Sequence, residues 1–116
     1  KEYRRQRQMC IRDRWLEYVS HHACRPFLDL AWERAMVKRF GGRSNPGVEE
    51  LAEKRLGREL PFLNARLGES PFLAGQNATL ADVALYPFVK LSGEAGIDLT
   101  TVAPNLHAWR ERVRQG

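Results

Sequence analysis

Histidine, cysteine and arginine side chains stand close together in the stretch SHHACRPFLDLAW, residues 20–32. Two adjacent imidazoles, His21 and His22, could bind a metal ion or relay a proton. A zinc site needs about four ligands, and no cluster of cysteines or carboxylates accompanies these two. We therefore expect no metal, with one histidine facing solvent and the other packed or lining a pocket. Arg25 could lower the pKa of the nearby Cys24 thiol, but a buried structural thiol is the leading interpretation.

The residues that follow the thiol continue this surface at helical spacing. Arg25 lies one turn from the histidines, where it could pair with Asp29 at position i+4 or contact an anionic group of a ligand. Leu28 and Trp32 lie further along the same side of the predicted helix. Core packing is the leading interpretation for Trp32, and pocket lining is the alternative. The candidate substrate-binding residues are therefore His22, Arg25, Leu28 and Trp32.

A hydroxyl and a carboxylate occur together in the sequence TLAD, residues 79–82. This pair could serve acid–base catalysis, but its spacing is that of a capping box. In such a box Thr79 accepts from the amide of Asp82, and the Asp82 carboxylate accepts from the amide of Thr79. We predict this structural role, worth about 1 kcal/mol, and assign no catalytic residue. The preceding residue is Ala78, so we expect weak hydrophobic support for the cap.

Apolar residues recur with a helical period along most of the chain. The pattern predicts an all-α bundle of about four helices with no strand. We expect Pro26 to bend the first helix, Gly41 to end it, Asn45 to cap the second and Gly68 to end the second. The third helix is apolar on nearly every side and is expected at the centre of the core, and residues 96–103 are expected to form a loop. The four predicted helices span residues 15–40, 46–68, 79–92 and 104–114.

The charge of the chain is concentrated at its beginning. The 116 residues carry a formal net charge of +5, which could indicate a nucleic-acid partner. Residues 1–14, however, contain six basic and two acidic side chains, or +4, so residues 15–116 carry only +1. The two cysteines form no metal-binding or disulfide pattern, which favours a reducing, cytoplasmic setting. Because residues 15–116 are almost neutral, we expect no nucleic-acid partner. No apolar run could span a membrane, so we expect no membrane partner either.

The basic stretch RRQRQMCIRDR, residues 4–14, has an unusual feature at the level of DNA. Its back-translation resembles, base for base, the transposase-based adapter used to prepare short-read sequencing libraries. We therefore expect residues 1–14 to be adapter-derived and exclude them from fold reasoning. The domain is then expected to occupy residues 15–116, with native sequence missing before Trp15 and after Gly116.

Three motifs in residues 63–113 together resemble the C-terminal domain of glutathione transferases. They are a leucine-rich helix end followed by FLAG at residues 72–75, the capping box at residues 79–82, and a Pro-Asn-x-x-x-Trp helix that starts at Pro104. The stretch WLEYVSHHACRPFLDLAWERAMVKRFGG, residues 15–42, is similar to the first helix of that domain in plant phi-type enzymes and their bacterial relatives. The resemblance covers essentially all of residues 15–116.

The resemblance implies that the reactive group lies outside this chain. In the family, a thioredoxin-like N-terminal domain binds glutathione and carries the Ser, Tyr or Cys that activates its thiol. The C-terminal domain forms one wall of the hydrophobic pocket for the electrophile, mainly from the helix that corresponds to residues 15–40. The implied whole protein is a cytoplasmic homodimer with glutathione as co-substrate and no metal, and the isolated fragment is expected to be inactive.

Two other functions remain open at the level of sequence. The same helical domain resembles non-catalytic modules attached to aminoacyl-tRNA synthetases and translation elongation factor subunits, where it docks partner proteins. Related family members carry out dehalogenation, isomerisation or peroxide reduction. An upstream thioredoxin-like domain with its catalytic residue would distinguish the enzymes from the interaction module.

Overall fold

The computed structural model describes residues 1–116 and confirms the all-α fold. Helices α1 to α3 join through two π-helical turns into one long helix, residues 2–39, so the chain has five separate helices rather than four. The segments are α1 (Glu2–Tyr18), α2 (Cys24–Ala31), α3 (Val37–Arg39), α4 (Pro46–Glu69), α5 (Leu80–Val89), α6 (Leu99–Val102) and α7 (Pro104–Gln115).

The long helix accommodates Pro26 through a wider turn. Proline has no amide hydrogen, and its ring clashes with the carbonyl four residues earlier in a regular α-helix. A π-helical turn, Val19–Ala23, stands just before this position, where the amide of Cys24 donates to the carbonyl of Val19. A π-helical turn re-aims side chains relative to a regular helix and is frequent at functional sites. The predicted disturbance at Pro26 is therefore a widened turn within an uninterrupted helix.

The start of the long helix differs from the prediction, because α1 begins at Glu2 rather than at Trp15. Residues 1–10 are all exposed, and α1 as a whole contains no buried residue. The first turns of α1 therefore lengthen the helix but contribute no side chain to the hydrophobic core. The assignment of residues 1–14 as adapter-derived stays a prediction.

The end of the long helix and the start of α4 follow the predicted signals. Gly41 has a φ of 80°, a left-handed conformation that costs glycine little. The amides of Gly41 and Gly42 donate to the carbonyls of Lys38 and Val37 at 3.1 and 3.0 Å, which is a Schellman ending. The Asn45 side chain then caps α4 by accepting from the amide of Gly47 at 3.0 Å.

Gly68 does not end α4, which continues to Glu69. A Cβ atom at Gly68 would lie 2.8 Å from Nδ2 of Asn105. The side-chain amide of Asn105 donates to the backbone carbonyl of Asn64, and the backbone amide of Asn105 donates to Oδ1 of Asn64 at 2.8 Å. The glycine therefore allows α7 to approach α4 closely, and the prediction of a helix end there is wrong.

The core lies where α2, α4, α5 and α7 meet. The predicted leucine stripe of α4 is buried, as is Trp109 of α7. Helix α5 contributes Ala81, Leu85 and Val89 to this core, but Leu80 and Val83 on its other side are 56% and 60% exposed. The helix therefore contributes one face to the core, as expected, while its other face is uncovered in this chain. The buried α4 side chains of the stripe are Leu56, Leu60, Leu63 and Leu67.

A short helix, α6, replaces the loop that was expected before α7. Asp98 caps it by accepting from the amide of Thr100 at 3.1 Å and from the hydroxyl of Thr101 at 3.0 Å. This capping holds the chain in one helical turn, which buries Leu99 against the core. An aspartate followed by two threonines was the sequence signal for this turn.

Candidate functional site

Thr79 and Asp82 form the predicted capping box at the start of α5. The carboxylate of Asp82 accepts from the amide of Thr79 at 2.9 Å, and the hydroxyl of Thr79 accepts from the amide of Ala81 at 3.3 Å. Asp82 is completely buried. The pair therefore performs a structural function, as predicted, and does not open onto a cleft where a substrate could reach it.

Asp82 also joins two other parts of the chain, which sequence reasoning missed. Its Oδ1 atom accepts from the amide of Leu73 at 3.0 Å and from the indole nitrogen of Trp109 at 2.8 Å. One carboxylate thus connects the α4–α5 loop, the start of α5 and the middle of α7. The Trp109 of the Pro-Asn-x-x-x-Trp motif is a core residue, as predicted, and it also has a polar partner that the motif alone did not indicate.

The two histidines both lie on the surface of the π-helical turn. The ring of His22 stacks on Tyr18 with a centroid distance of 5.9 Å and an interplanar angle of 28°. Neither histidine is buried, and both line a cleft, which agrees with the alternative that one of them lines a pocket. No three His, Cys, Asp or Glu side chains gather closely enough to hold a metal ion.

Arg25 forms the ion pair that was one of its two sequence-based interpretations. Its Nε atom lies 2.9 Å from Oδ1 of Asp29, and the arginine side chain is 70% exposed. Such exposed pairs contribute little to stability. The pair does, however, fix the direction of the guanidinium and leaves its two terminal nitrogens available.

Trp32 is only partly covered, so the interpretation of this residue as core is wrong. It is 36% exposed and stacks on Phe40 with a centroid distance of 5.6 Å. Phe40 is 74% exposed. Leu28, which precedes Trp32 by one helical turn, is half-buried. Together Trp32 and Phe40 form an exposed aromatic pair near the end of the long helix.

The four candidate binding residues separate into a polar and an apolar group. His22 and Arg25 open onto a cleft of about 210 Å³ between the long helix and α4, which we name the basic cleft. Leu28 and Trp32 lie outside it. The basic cleft is lined by His21, His22, Arg25, Pro26, Arg55 and Arg58.

Arg55 and Arg58 are cleft residues that sequence reasoning missed. They lie on α4, whose polar face presents the run EKR at residues 53–55 and a further arginine at 58. Because the long helix and α4 are joined by a short turn, they run antiparallel, and this places residues near 55–58 opposite residues 21–25. The turn at Gly41 indicated only that the two helices are neighbours, and no local pattern gave the register that places these arginines opposite His22 and Arg25.

A buried carboxylate lies beside the basic cleft. Glu59 is 6% exposed, and its Oε1 atom accepts from the hydroxyl of Tyr18 at 2.6 Å. Its other oxygen accepts from Nε of Arg58 at 3.3 Å. Burial, and then the hydrogen bond to Glu59, raise the pKa of Tyr18 well above its usual range. Tyr18 is therefore a protonated donor that holds the carboxylate, and not a candidate base.

Cys24 is the buried thiol that the sequence predicted. It is 9% exposed, its Sγ lies 3.9 Å from the carbonyl of Ala84, and burial raises its pKa to about 11. The thiolate is the nucleophilic form of cysteine, so this thiol is held in the unreactive form at neutral pH. The possibility that Arg25 activates it is therefore wrong.

Alkylation by iodoacetamide should separate the two thiols of the chain. At pH 8 we expect Cys24 in a Cys10→Ser variant to react roughly a hundredfold more slowly than Cys10 in a Cys24→Ala variant, because its pKa is raised and its sulfur is covered. In denaturant the two rates should converge. Equal rates in the folded variants would show that the Cys24 thiol is accessible and ordinary.

The geometry defines an all-helical domain with a basic cleft, an exposed aromatic pair and a buried structural carboxylate. No helix in it is both long enough and apolar enough to pass through a lipid bilayer. The model of the glutathione S-transferase C-terminal domain matches residues 18–115, and the chain therefore belongs to that family.

Similar proteins and solved structures agree with this assignment. Glutathione S-transferase F6 of Arabidopsis thaliana is 30% identical over 104 residues, which cover 89% of this chain and 50% of the relative. Disulfide-bond oxidoreductase YfcG of Escherichia coli is 42% identical over 52 residues, or 45% of this chain. The crystal structure of glutathione transferase F2 from Populus trichocarpa is 28% identical, with a TM-score of 0.81 over 92% of this chain and 51% of that chain.

The chain spans about half the length of the curated plant relatives that it matches. The plant relatives agree with the phi-type resemblance found in the first helix. None of the relatives or structures described here is a synthetase or translation-factor module, so the comparisons give no support to the non-catalytic alternative.

Proposed function

We propose that this chain is the C-terminal half of a cytoplasmic, homodimeric glutathione transferase and forms one wall of its electrophile pocket. The observation that carries the proposal is the family match over residues 18–115 together with transferase relatives of about twice the aligned length. Residues 15–116 would be the native domain and residues 1–14 a foreign addition. The other half of the protein would be a thioredoxin-like domain that binds glutathione.

The exposed apolar side chains of the chain support a missing neighbour. Leu80 and Val83 form an uncovered apolar strip on α5, and the Trp32–Phe40 pair forms another uncovered surface. Exposed apolar patches in a soluble domain mark surfaces that other molecules cover. A domain packed on α5 would bury the first surface, and a bound hydrophobic substrate would contact the second.

The candidate binding residues would divide the work of holding a substrate. Leu28 and Trp32 would contact its apolar body, while His22 and Arg25 would face its polar groups. In the conjugation step the sulfur of the glutathione thiolate forms a bond to the electrophilic carbon, and the leaving group departs with its electron pair. Cys24 provides no thiolate for this step, because it is buried and stays protonated.

A chimeric enzyme tests the proposal. Residues 15–116 are fused behind the N-terminal domain of the Arabidopsis F6 transferase, and the glutathione conjugation of chlorodinitrobenzene is measured. We expect turnover by the chimera and none by the chain alone. We also expect Trp32→Ala to raise KM for the electrophile by about tenfold, since it removes apolar contact area.

Two controls make this test informative. Phe62→Ala removes an exposed aromatic ring from α4, where it contacts Trp15 and Tyr18 and not Trp32, and should leave KM for the electrophile unchanged. Retention on immobilised glutathione shows that the N-terminal domain is folded. A chimera that binds glutathione and folds cooperatively but has no turnover would contradict the proposed function. Equal effects of the two variants would contradict the placement of the pocket at Trp32.

A further inference from the structure

The basic cleft has the chemistry of an anion site, and we propose that it binds a small soluble phosphate dianion, such as a phosphate monoester. Five of its six lining residues are histidines or arginines, the sixth is Pro26, and they come from two helices. This inference does not depend on glutathione chemistry. The cleft shares His22 and Arg25 with the proposed substrate surface, but its test measures phosphate binding by the intact chain and not turnover, so either proposal can fail without the other.

The arginines of the cleft are positioned by neighbouring carboxylates. Arg25 uses Nε for Asp29 at 2.9 Å, and Arg58 uses Nε for Glu59 at 3.3 Å. Each carboxylate therefore fixes one edge of a guanidinium and leaves the two terminal nitrogens free for another acceptor. Guanidinium groups form paired hydrogen bonds with phosphate oxygens through such an edge.

Arg55 gives the cleft its excess of positive charge. It is exposed and takes part in none of the ion pairs of the chain. Three guanidinium groups thus border the cleft, while the two nearby carboxylates, Asp29 and Glu59, balance only two of them. An anion that enters the cleft would balance the third.

The surroundings of the cleft add one further positive charge on α4. An adjoining hollow is bordered by Lys54, whereas Arg14 and Glu17 on the side of the long helix carry opposite charges. The volume of about 210 Å³ suits a phosphate group with a small substituent. Because three arginines converge there, we expect a dianion to bind more tightly than a carboxylate, which has a single negative charge.

A titration of the intact chain followed by amide NMR shifts tests this inference. Inorganic phosphate is added at constant ionic strength, maintained with chloride, so that general screening does not change. We expect saturable shifts confined to residues 21–26 and 55–58. Glycerol phosphate should produce the same pattern, and acetate should bind about tenfold more weakly.

Two double variants with the same change in net charge distinguish specific binding in the cleft from general attraction of phosphate to a basic protein. Arg25→Gln with Arg55→Gln removes two cleft charges, and Arg39→Gln with Arg43→Gln removes two exposed charges elsewhere. We expect the first pair to weaken phosphate binding by about tenfold or more and the second pair to leave it unchanged. Equal melting temperatures of the two double variants would show that both remain folded.

Several results would overturn the inference. Linear shifts spread over the chain, or equal losses in both double variants, would show only a diffuse ion atmosphere. Equal affinities for acetate and phosphate would contradict the proposed preference of the cleft for a dianion. Sedimentation with phosphatidic acid vesicles in the absence of any shift with glycerol phosphate would assign the surface to a membrane instead of a small molecule. The turnover of the chimera is independent of all these outcomes.

Discussion

Replacing Asp82 with alanine is expected to lower the free energy of unfolding by about 3–5 kcal/mol, because it leaves three hydrogen-bond donors without their acceptor. The carboxylate is completely buried and accepts from the amides of Leu73 and Thr79 and from the indole of Trp109, all within 3.0 Å. Without it, these donors lose their acceptor. Each such buried donor costs about 1–3 kcal/mol. Chemical unfolding followed by circular dichroism measures the loss.

Asp98 provides the matched control for this prediction. It caps α6 but is exposed and makes only local hydrogen bonds. We expect Asp98→Ala to cost about 1 kcal/mol, the usual value of a cap. If Asp82→Ala costs no more than Asp98→Ala, the hydrogen bonds to the loop and to α7 contribute nothing beyond the cap.

Trp109→Phe isolates the longest-range of these contacts. It keeps most of the aromatic packing and removes the indole donor, so we expect a loss of about 1–2 kcal/mol. In the background of Asp82→Ala the same change should cost less, because the bond is already gone. The difference between the two losses measures the coupling of the tryptophan to the carboxylate.

The sequence predicts a loss of about 1 kcal/mol for Asp82, the value of a helix cap, whereas the structure predicts about 3–5 kcal/mol. The difference arises because only the cap is visible in the sequence. A capping box is local, since its two members lie three positions apart, and its spacing is visible in the residues themselves. The partners Leu73 and Trp109 depend on how the loop and α7 pack, which no local pattern encodes. The motif Pro104-Asn105-x-x-x-Trp109 was recognised from its resemblance alone, and its physical reason is the contacts with Asn64 and Asp82.

The errors at Gly68 and Trp32 have the same origin. Glycine is a frequent helix end, but at Gly68 it is required because α7 packs closely there. Trp32 lies in a helix rich in buried residues, yet it is 36% exposed and stacks on Phe40 at the end of the same helix. In both cases the local pattern gave the helix correctly, and the covering of the residue depended on how the other helices pack.

The candidate site was recovered only on the helix where its residues are close in sequence. His22 and Arg25 were predicted, whereas Arg55 and Arg58 on α4 were not, because their proximity depends on the antiparallel arrangement of the two helices. The same arrangement produces the pair of Tyr18 and Glu59. Pairs separated by about 40 positions cannot be inferred from one sequence by periodicity, which describes each helix by itself.

Replacing Tyr18 with phenylalanine is expected to be the other strongly destabilising change, with a loss of about 2–3 kcal/mol. The phenylalanine ring keeps the contacts with Trp15 and Phe62. What it removes is the hydroxyl that donates to the buried Glu59 at 2.6 Å. Thermal and chemical unfolding measure the effect. Tyr86→Phe is the control, since the Tyr86 hydroxyl has no such partner, and it should change stability by less than about 0.5 kcal/mol.

The Tyr18→Phe substitution should also change how the stability of the chain depends on alkaline pH. Burial, with the hydrogen bond to Glu59, raises the pKa of Tyr18 above its ordinary value of 10.0. The folded state therefore keeps a proton that the unfolded state releases, and its stability falls as the pH rises above that value. Cys24 adds a loss of the same sign as its pKa is raised to about 11. Tyr18→Phe should remove the part of this loss of stability that comes from ionisation of the Tyr18 phenol.

A double variant identifies the source of the Tyr18 effect. If the loss arises from a buried carboxylate without its donor, Tyr18→Phe combined with Glu59→Met should be within about 1 kcal/mol of the original chain, because no polar atom is then stranded. The single Glu59→Met variant should lie between the two, since it leaves the tyrosine hydroxyl without an acceptor. A double variant as unstable as Tyr18→Phe would instead mean that Glu59 stabilises the helices through Arg58. The carboxylate would then act mainly to orient the basic cleft.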